Sequence, residues 1–436
     1  MIVSGLFGSS DVIRDIRILK QDHLYYVDKI VSSQDLADRE AQKRMDAYFN
    51  RMYFSPWTRE EARYTKVEIE EELSIYRLNT GYGENLRKYG KEWLDIIAEN
   101  IDLKSFPNGG SKGISLTNSN LRVFPTQRPH FKFCGTKTCT YPFDNFQQSA
   151  IYVNTPIYLS HWTKDRAWVF VETGYTYGWL PAKDVAQVDE IFIKSWNAGR
   201  FIVPVKDKLP VYDDKAHYLF HAPIGTLFPD DGTEGTKWKI LAAVADENGR
   251  AVIKKAVVSA DAVASKPLPL TRINMAKVAN ELINEPYGWG GLYQNRDCSA
   301  MIMDLFAPFG IWLPRNSRHQ ALEGGAFVDL KDVSPREKER IILNDGIPYM
   351  TLLWVKGHIM LYMGSYNGEI LVFHNFWSAQ DRKTRRKTSK QIVGQAAVTT
   401  LQPGVKSKRH RRSRGYLGRI IGMTIIGNAA IQKADE

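Results

Sequence analysis

One cysteine, Cys298, stands where a thiol could act as a nucleophile. It follows a glycine-rich segment and Asp297, and it precedes an apolar run, 300–308, that predicts a short buried helix. A thiol in the first turn of a helix meets unpaired backbone N–H groups and the positive end of the helix dipole, and both favour the thiolate. Two histidines, His358 and His374, follow in strand-like segments. A thiol, an imidazole and a polar group that orients the imidazole form a cysteine-hydrolase site. The alternative is a buried, unreactive cysteine.

The chemistry assigns a role to each group. Cys298 would attack an amide carbonyl, His358 would take and return the proton, and His374 would fix the tautomer of His358. Tyr287 could offer its phenolic O–H to the oxyanion beside the backbone N–H of Cys298. Two alternatives stay open: His374 could be an ordinary half-buried strand histidine, and Tyr287 could pack on the glycine-rich turn at 288–291, called the glycine turn below.

The two histidines can cooperate only if they share one face of a sheet. Asn367-Gly368 between them predicts a β-hairpin turn. Side chains alternate along a strand, so a two-residue turn without irregularity would place His358 and His374 on opposite faces. A three-residue loop or an extra bulge would place them on the same face. The catalytic interpretation therefore predicts one of these two irregularities.

Residue composition and spacing divide the chain into the regions that must position this site. Helix formers with apolar recurrences predict helices from 10 to 103, and a turn cluster follows at 106–111. Short β-rich runs between Gly, Pro, Asn and Asp then predict small barrels. A stiff connector at 266–270 leads into a helix and the glycine turn. The predicted domains are a helical N-terminal extension, two barrels and a catalytic domain, over residues 1–105, 106–192, 193–267 and 268–436.

Composition and charge limit the class of protein. Apolar residues make up 43% of the 436, and no run approaches the about 20 apolar residues that span a bilayer. The segment 381–419 holds 13 Lys and Arg residues against Asp381 alone, so the net charge of +11 is concentrated there. A solvated loop explains this segment, and weak attraction to an anionic wall or membrane surface is an alternative. Nucleic-acid binding is not expected, because the segment has no base-reading motif and one aromatic residue, Tyr416.

The other two cysteines form a C-x4-C pair, Cys134 and Cys139, near His130. A small disulfide loop, two free thiols and a metal site are the alternatives, and a structural zinc site would need a fourth ligand. We expect neither a metal nor a cofactor. The first ten residues show no signal-peptide pattern, so an envelope or periplasmic location would require a removed export signal, and the alternative is the cytoplasm.

Five motifs in order carry a family resemblance, and they are Pro286-Tyr-Gly-Trp-Gly-Gly, Asp297-Cys298-Ser299, Leu313-Pro-Arg-Asn-Ser317-Arg-His-Gln320, Gly357-His358 and Val372-Phe-His374. With them, the segment from about 268 to 427 resembles the NlpC/P60 family of papain-like peptidases, which cut bacterial cell-wall peptides. The preceding region, with Trp168-Val-Phe-Val and Tyr177-Gly178-Trp179, resembles the paired bacterial SH3-like domains of some members. Phe54-Ser-Pro-Trp57 resembles their helical extension loosely.

The resemblance implies a multidomain α+β fold, with a helical N-terminal region, two small SH3-like β-barrels and a C-terminal papain-like domain. It adds Asp297, Ser299 and Ser317 as contacts to the substrate's amino end, and a carboxylate at Asp297 suits an ammonium. Asp297 could instead only cap the helix.

The predicted function is that of a monomeric cysteine endopeptidase. It would hydrolyse the γ-D-glutamyl to diamino-acid bond of peptidoglycan stem peptides and would prefer a free N-terminal L-Ala. The alternatives are a papain-like amidase or acyltransferase on another substrate, and a non-catalytic wall-binding protein.

Overall fold

The computed structural model describes residues 13–27, 36–134, 140–382, 388–403 and 415–427. Cys139 and ten of the 13 Lys and Arg residues in the segment 381–419 lie outside these residues. The chain forms two compact units. The first comprises Met1–Ala47, Pro267–Tyr287 and Arg296–Glu436, and the second comprises Tyr48–Lys266 and Gly288–Asn295. Across the described ranges, no helix is long and apolar enough to cross a membrane. The four domain limits given above stay predictions.

The helices of the described chain are α1 (Arg14–Ile18), α2 (His23–Tyr26), α3 (Arg39–Tyr53), α4 (Lys66–Leu78), α5 (Lys91–Ile101), α6 (Glu190–Trp196), α7 (Arg272–Glu281), α8 (Cys298–Phe306), α9 (Ser317–Glu323) and α10 (Pro335–Asp345).

The strands are β1 (Ser111–Ser115), β2 (Ser119–Arg122), β3 (Gln147–Ile151), β4 (Pro156–Trp162), β5 (Trp168–Glu172), β6 (Tyr177–Pro181), β7 (Val185–Gln187), β8 (Phe201–Pro204), β9 (Leu209–Asp213), β10 (Tyr218–Ala222), β11 (Phe228–Glu234), β12 (Lys237–Ala245), β13 (Ala251–Ser259), β14 (Val263–Ser265), β15 (Ala326–Asp329), β16 (Thr351–Val355), β17 (His358–Tyr366), β18 (Glu369–Arg382), β19 (Thr388–Thr400) and β20 (Gly422–Ile425).

The second unit contains two β-sheets of similar size. One has the strand order β3-β2-β6-β5-β4-β1-β7 and the other β10-β9-β13-β12-β11-β8-β14, and their pairings are antiparallel. Helices α4 and α5 place apolar residues three and four apart, and this stripe packs on the first sheet around Phe124, Phe146 and Trp179. Burying each such side chain contributes about 1.5–3 kcal/mol, so the helices are held mainly by this packing.

The glycine turn continues this unit. Gly290 and Gly291 have positive φ angles of 59° and 88°, and a Cβ on Gly291 would lie 2.5 Å from Cβ of Ala150 on β3. The side-chain amide of Gln147 donates to the carbonyl of Gly290 over 3.0 Å, and Nε1 of Trp289 donates to the carbonyl of Asp144 over 3.0 Å. Only glycine permits this close approach of the turn to β3.

The first unit is built on a six-stranded antiparallel sheet of order β15-β20-β16-β17-β18-β19. Helix α8 lies against β17 and β18. Its apolar side chains Met301, Ile302 and Leu305 are fully buried, which explains why this run forms a helix although it is apolar on almost every side. This packing fixes the first residue of α8, Cys298, beside the start of β17.

The hairpin between β17 and β18 has a two-residue turn and a bulge. Tyr366 pairs with Glu369, and Asn367 and Gly368 have φ angles of 52° and 74°, as a tight turn of this kind requires. The register shifts between Tyr362 and Gly364, so Met363 is an extra residue on β17. The predicted irregularity is confirmed in its bulge form.

Candidate active site

Cys298 begins α8, and Asp297 caps it. The carboxylate of Asp297 accepts a hydrogen bond from the backbone N–H of Ala300 over 2.8 Å. Cys298 is 7% exposed, and its sulfur accepts a hydrogen bond from the backbone N–H of Ile359. Burial raises the pKa of the Cys298 thiol to about 12, and the negative charge of Asp297 adds to this rise. The backbone N–H groups of Ile359 and Ser299 lower this pKa, as expected at the start of a helix, but burial outweighs them.

His358 and His374 lie on one face and are hydrogen-bonded to each other. Nε2 of His358 lies 2.7 Å from Nδ1 of His374, and Nε2 of His374 lies 2.9 Å from Oγ1 of Thr399. The Thr399 hydroxyl donates its single proton to the carbonyl of Thr400 over 2.9 Å. It must therefore accept from His374, so Nε2 of His374 carries a proton and its Nδ1 accepts from Nε2 of His358. This order leaves a lone pair on Nδ1 of His358, as a base requires.

Both imidazoles are neutral in this setting. Burial and, to a smaller extent, the positive charge of Arg419 lower the pKa of His358 to about 3. Burial lowers the pKa of His374 well below its usual value, and its contact with His358 acts in the same direction. Phe376 stacks on His374 with ring centroids 4.0 Å apart, and Tyr416 stacks on His358 at 5.5 Å. His374 is fully buried, unlike an ordinary half-buried strand histidine.

Asp297 is also part of a buried ion pair. Its two oxygens accept hydrogen bonds from the guanidinium of Arg315 over 3.1 and 2.9 Å. Burial opposes the ionisation of Asp297, but the charge and hydrogen bonds of Arg315 outweigh burial and hold its pKa below the usual range. The Ser299 hydroxyl accepts from Arg315 over 3.1 Å and donates to Asp297 over 3.1 Å. Gln320 donates to the carbonyl of Ser299 over 2.8 Å. The helix-capping role that the sequence left open for Asp297 is present.

Tyr287 lies where its hydroxyl can act near the thiol. Burial raises the pKa of Tyr287 well above its usual value, and the nearby groups Cys298 and Asp297 raise it further. Its hydroxyl therefore stays protonated and can donate. The backbone N–H of Tyr287 donates to the carbonyl of Gly394 over 2.8 Å, and its ring lies 6.1 Å from that of Trp377. These contacts hold Tyr287 against β18 and β19.

Ser317 belongs to a different helix from Cys298 and Ser299. Ser317 is the first residue of α9 and is half-buried, and Asn316 caps that helix by accepting from the backbone N–H of His319 over 3.0 Å. Within the described ranges, no hydrogen bond joins Ser317 to Asp297 or Ser299.

Sequence reasoning missed three residues of the site, namely Thr399, Arg315 and Tyr416. Arg315 lies inside one of the quoted motifs, next to the residues singled out there, and a buried carboxylate at Asp297 would have required such a cation. Thr399 and Tyr416 lie in segments without a local motif. Only the strand register brings Thr399 to His374.

The structure shows the state of one of the two cysteines in the first barrel. Cys134 is disulfide-bonded, which excludes a free thiol or a thiolate ligand at this position, and Cys139 lies outside the described residues. The ring of His130 already lies 3.1 Å from the amide of Asn145 and 3.3 Å from the carbonyl of Asn79. Across the residues that the structure describes, no cluster of three His, Cys, Asp or Glu side chains could hold a metal ion.

Comparison with family models gives four matches along the chain. Residues 5–106 match the N-terminal stabilising domain of NlpC/P60 proteins, 129–181 match an SH3 domain of SH3b1 type, 189–233 match an SH3 domain of SH3b2 type, and 284–396 match the NlpC/P60 family. These matches confirm the predicted order of a helical N-terminal region, two SH3-like domains and a C-terminal catalytic fold.

Comparison with solved structures gave further matches. An NlpC/P60 endopeptidase from Photobacterium damselae subsp. piscicida is 27% identical, with a TM-score of 0.82, and the match covers 94% of this chain and 98% of that one. An NlpC/P60 family protein from Bacillus cereus is 16% identical, with a TM-score of 0.47, and the match covers 73% of this chain and 100% of that one. A comparison with curated proteins found no match.

Proposed function

We propose, starting from the membership of this chain in the NlpC/P60 family of cysteine peptidases, that it is an endopeptidase acting on peptidoglycan stem peptides. The bond cleaved would be the one between γ-D-glutamate and the diamino acid. The observation that carries the proposal is the series of hydrogen bonds from Thr399 through His374 to His358. It leaves a lone pair on Nδ1 of His358. The next residue, Ile359, donates its backbone N–H to the sulfur of Cys298. A non-catalytic scaffold would have no need of this order.

The reaction would begin from a neutral thiol and a neutral imidazole. As the sulfur of Cys298 attacks the carbonyl carbon, Nδ1 of His358 takes the thiol proton, and the charge that forms on His358 is stabilised by the hydrogen bond to His374. The carbonyl oxygen becomes an oxyanion, which the hydroxyl of Tyr287 and the backbone N–H of Cys298 would hold.

The second half of the reaction uses the same groups in reverse. His358 returns its proton to the amine of the diamino acid as the C–N bond breaks, and a thioester to Cys298 remains. Water, deprotonated by His358, then attacks the thioester. The C–S bond breaks, the γ-D-glutamyl acid is released, and His358 returns the proton to the sulfur of Cys298. The raised pKa of Cys298 and the lowered pKa of His358 both disfavour proton transfer in the resting enzyme. The thiol proton would therefore move to His358 during the attack and not before it.

Recognition of the substrate's amino end is assigned to Asp297, Ser299 and Ser317, and a free N-terminal L-Ala would be preferred. The hydrogen bonds support Asp297 and Ser299 least, because Arg315 already contacts both. An ammonium group would meet a carboxylate whose charge is partly balanced. Ser317, half-buried, keeps its hydroxyl available for this contact.

The proposed setting is outside the cytoplasm, in the envelope or periplasm. The disulfide bond of Cys134 supports it, because such bonds persist in oxidising compartments. Peptidoglycan or its muropeptides would be the partner of a monomer, with weak attraction of the basic segment 381–419 to an anionic wall or membrane surface.

The test is digestion of the tripeptide L-Ala-γ-D-Glu-diaminopimelate and of intact muropeptides, followed by mass spectrometry, with Cys298→Ala as the control. Release of L-Ala-D-Glu that the variant abolishes supports the proposal. Cleavage of the free tripeptide alone supports the amino-end preference, and equal cleavage of intact wall material contradicts that preference. Cleavage of neither would reject the peptidase and leave an amidase or acyltransferase on another substrate, or a wall-binding protein.

A further inference from the structure

The first described residues of the chain hold the free edge of the sheet that carries the histidines. Strand β19 is the last strand of that sheet, so the outward N–H and C=O groups of its edge need partners. The side chain of Gln21 supplies both kinds: Oε1 accepts from the N–H of Val398 over 2.9 Å, and Nε2 donates to the carbonyl of Val398 over 3.0 Å. We name residues 13–26, which contain α1 and α2, the clasp.

A second clasp residue binds two positions further along β19. One carboxylate oxygen of Asp15 accepts from the backbone N–H of Thr400 over 2.8 Å and from its hydroxyl over 2.7 Å. Asp15 is 2% exposed, so this buried carboxylate depends on its hydrogen-bond donors. Gln21 and Asp15 together imitate the backbone of a neighbouring strand at Val398 and Thr400.

The residue between these two anchored positions is Thr399. Its hydroxyl accepts the hydrogen bond from His374, and its backbone pairs inward with Val372 of β18. Fixing the residue on each side fixes the Cα position and backbone angles of Thr399, and these decide where its hydroxyl points. A displaced hydroxyl would leave the Nε2 proton of His374 without its acceptor.

An apolar contact of the clasp reaches the same histidine independently. Ile13, 2% exposed, packs in one cluster with Phe376 and Ala397. The ring of Phe376 stacks on that of His374, and Ala397 lies opposite His374 in the strand register. Ile13 thus shares an apolar cluster with Phe376 and Ala397, two residues that border the imidazole of His374.

We propose that the clasp positions His374, with Asp15 and Gln21 as positioning residues that act through Thr399. The inference rests on the catalytic role proposed for His374. It goes beyond a stabilising role of the N-terminal region, because it assigns to two side chains an effect on one hydrogen bond of the site. The clasp would influence the rate of the reaction without touching the substrate.

The experiment compares Gln21→Ala and Asp15→Ala with a matched control, Gln42→Ala. Gln42 also bonds the backbone of the first unit, donating to the carbonyls of Leu268 and Phe309 over 2.7 and 3.1 Å. Among the described residues, none of its hydrogen bonds reaches β19. We would measure kcat and KM on the tripeptide, the melting temperature, and the ¹⁵N-histidine NMR signals, with those of His374 assigned through His374→Ala.

The expected result is a fall in kcat of about tenfold to a hundredfold in Gln21→Ala and Asp15→Ala, with KM unchanged and the His374 signals shifted. Gln42→Ala should lower the melting temperature without either effect. Asp15→Asn, which keeps an acceptor oxygen, should recover most of the lost kcat. Should Gln21→Ala not fold, Gln21→Glu, which keeps the acceptor for Val398 and loses the donor, provides the same comparison.

Two results would overturn the inference. Unshifted His374 signals in the clasp variants, or equal losses of kcat and melting temperature in Gln42→Ala, would reduce the clasp to general stabilisation. If the wild-type protein cleaves no stem peptide, the proposed function fails, yet the NMR comparison still decides the clasp: a His374 shift specific to Asp15 and Gln21 variants supports it, and no shift rejects it.

Discussion

The Nε2 atom of His374 lies 2.9 Å from the hydroxyl oxygen of Thr399, and that hydroxyl donates onward to the carbonyl of Thr400. A hydroxyl has one proton, so this single arrangement fixes the direction of every hydrogen bond up to His358. The pair of histidines alone would leave the tautomers undecided. Thr399 is therefore the group that makes His358 a base on the nitrogen that faces away from His374.

Replacement of Thr399 by Val tests this role. Valine keeps the shape of the side chain and removes the acceptor, so the buried N–H of His374 loses its partner. We expect the free energy of unfolding to fall by about 1–3 kcal/mol. We also expect kcat to fall by about tenfold to a hundredfold with little change in KM. Thr399→Ser should restore most of both. Full activity of Thr399→Val on the tripeptide would show that the hydroxyl is dispensable.

The pH dependence of Cys298 alkylation tests whether the resting thiol is neutral. Iodoacetamide reacts with the thiolate, and the pKa of Cys298 is raised to about 12. The rate should therefore still be rising above the ordinary cysteine pKa of about 8.5. On the acidic side, kcat/KM should stay level until the pH falls towards about 3, where His358 becomes protonated and can no longer accept a proton. A rate plateau near neutral pH would indicate a thiolate–imidazolium pair instead.

Tyr287→Phe tests the oxyanion role. The change removes one hydroxyl and keeps the ring, which packs near Trp377. Loss of one donor to the oxyanion costs about 10²–10³ in kcat, and KM should change little because the charge develops only in the transition state. The melting temperature is the control, since the ring and its contact with Trp377 are retained. An unchanged kcat would leave Tyr287 as a packing residue.

Arg315→Met tests the ion pair between Arg315 and Asp297, the residue before Cys298. Removing the guanidinium leaves the buried carboxylate of Asp297 without its main counter-charge, so we expect a loss of about 3–5 kcal/mol in the free energy of unfolding near neutral pH. The depressed pKa of Asp297 in the native protein contributes stability above the usual Asp pKa and loses it as the pH falls. The difference between the wild type and Arg315→Met should therefore narrow in acid.

The double variant Arg315→Met/Asp297→Asn provides the control for that experiment, because it removes both charges. Its stability should lie above that of Arg315→Met alone. A double variant that is less stable than the single one would show that an unpaired carboxylate at Asp297 is not what destabilises Arg315→Met, because asparagine keeps the helix cap.

Local patterns were sufficient to predict several parts of the site. A helix over 300–308 with Asp297 or Ser299 near its N-cap follows from side-chain periodicity and turn chemistry within a few residues. So does the need for an odd-length loop or a bulge between His358 and His374. Such features depend on neighbours in sequence. The order of helical, barrel and catalytic regions could be predicted for the same reason, since each region has its own composition and spacing.

The remaining parts depend on residues that are far apart in the chain. Asp15 and Thr400 are separated by 385 positions, and no local pattern connects them. The raised pKa of Cys298 has the same origin: it results from burial, which the sequence around the thiol does not specify. Thr399 and Arg315 were missed because a single hydroxyl or guanidinium gains its role only when strand register or helix packing brings it to a partner.

The bulge at Met363 lies between the histidines and the turn at Asn367-Gly368. The bulge, and not the turn, therefore decides which face of the sheet each histidine occupies. For protein engineering, this makes the tip a site where a peptide tag or a reporter can be inserted without rotating either imidazole. One residue added or removed between His358 and Tyr362 would instead turn His358 to the opposite face and abolish the histidine pair.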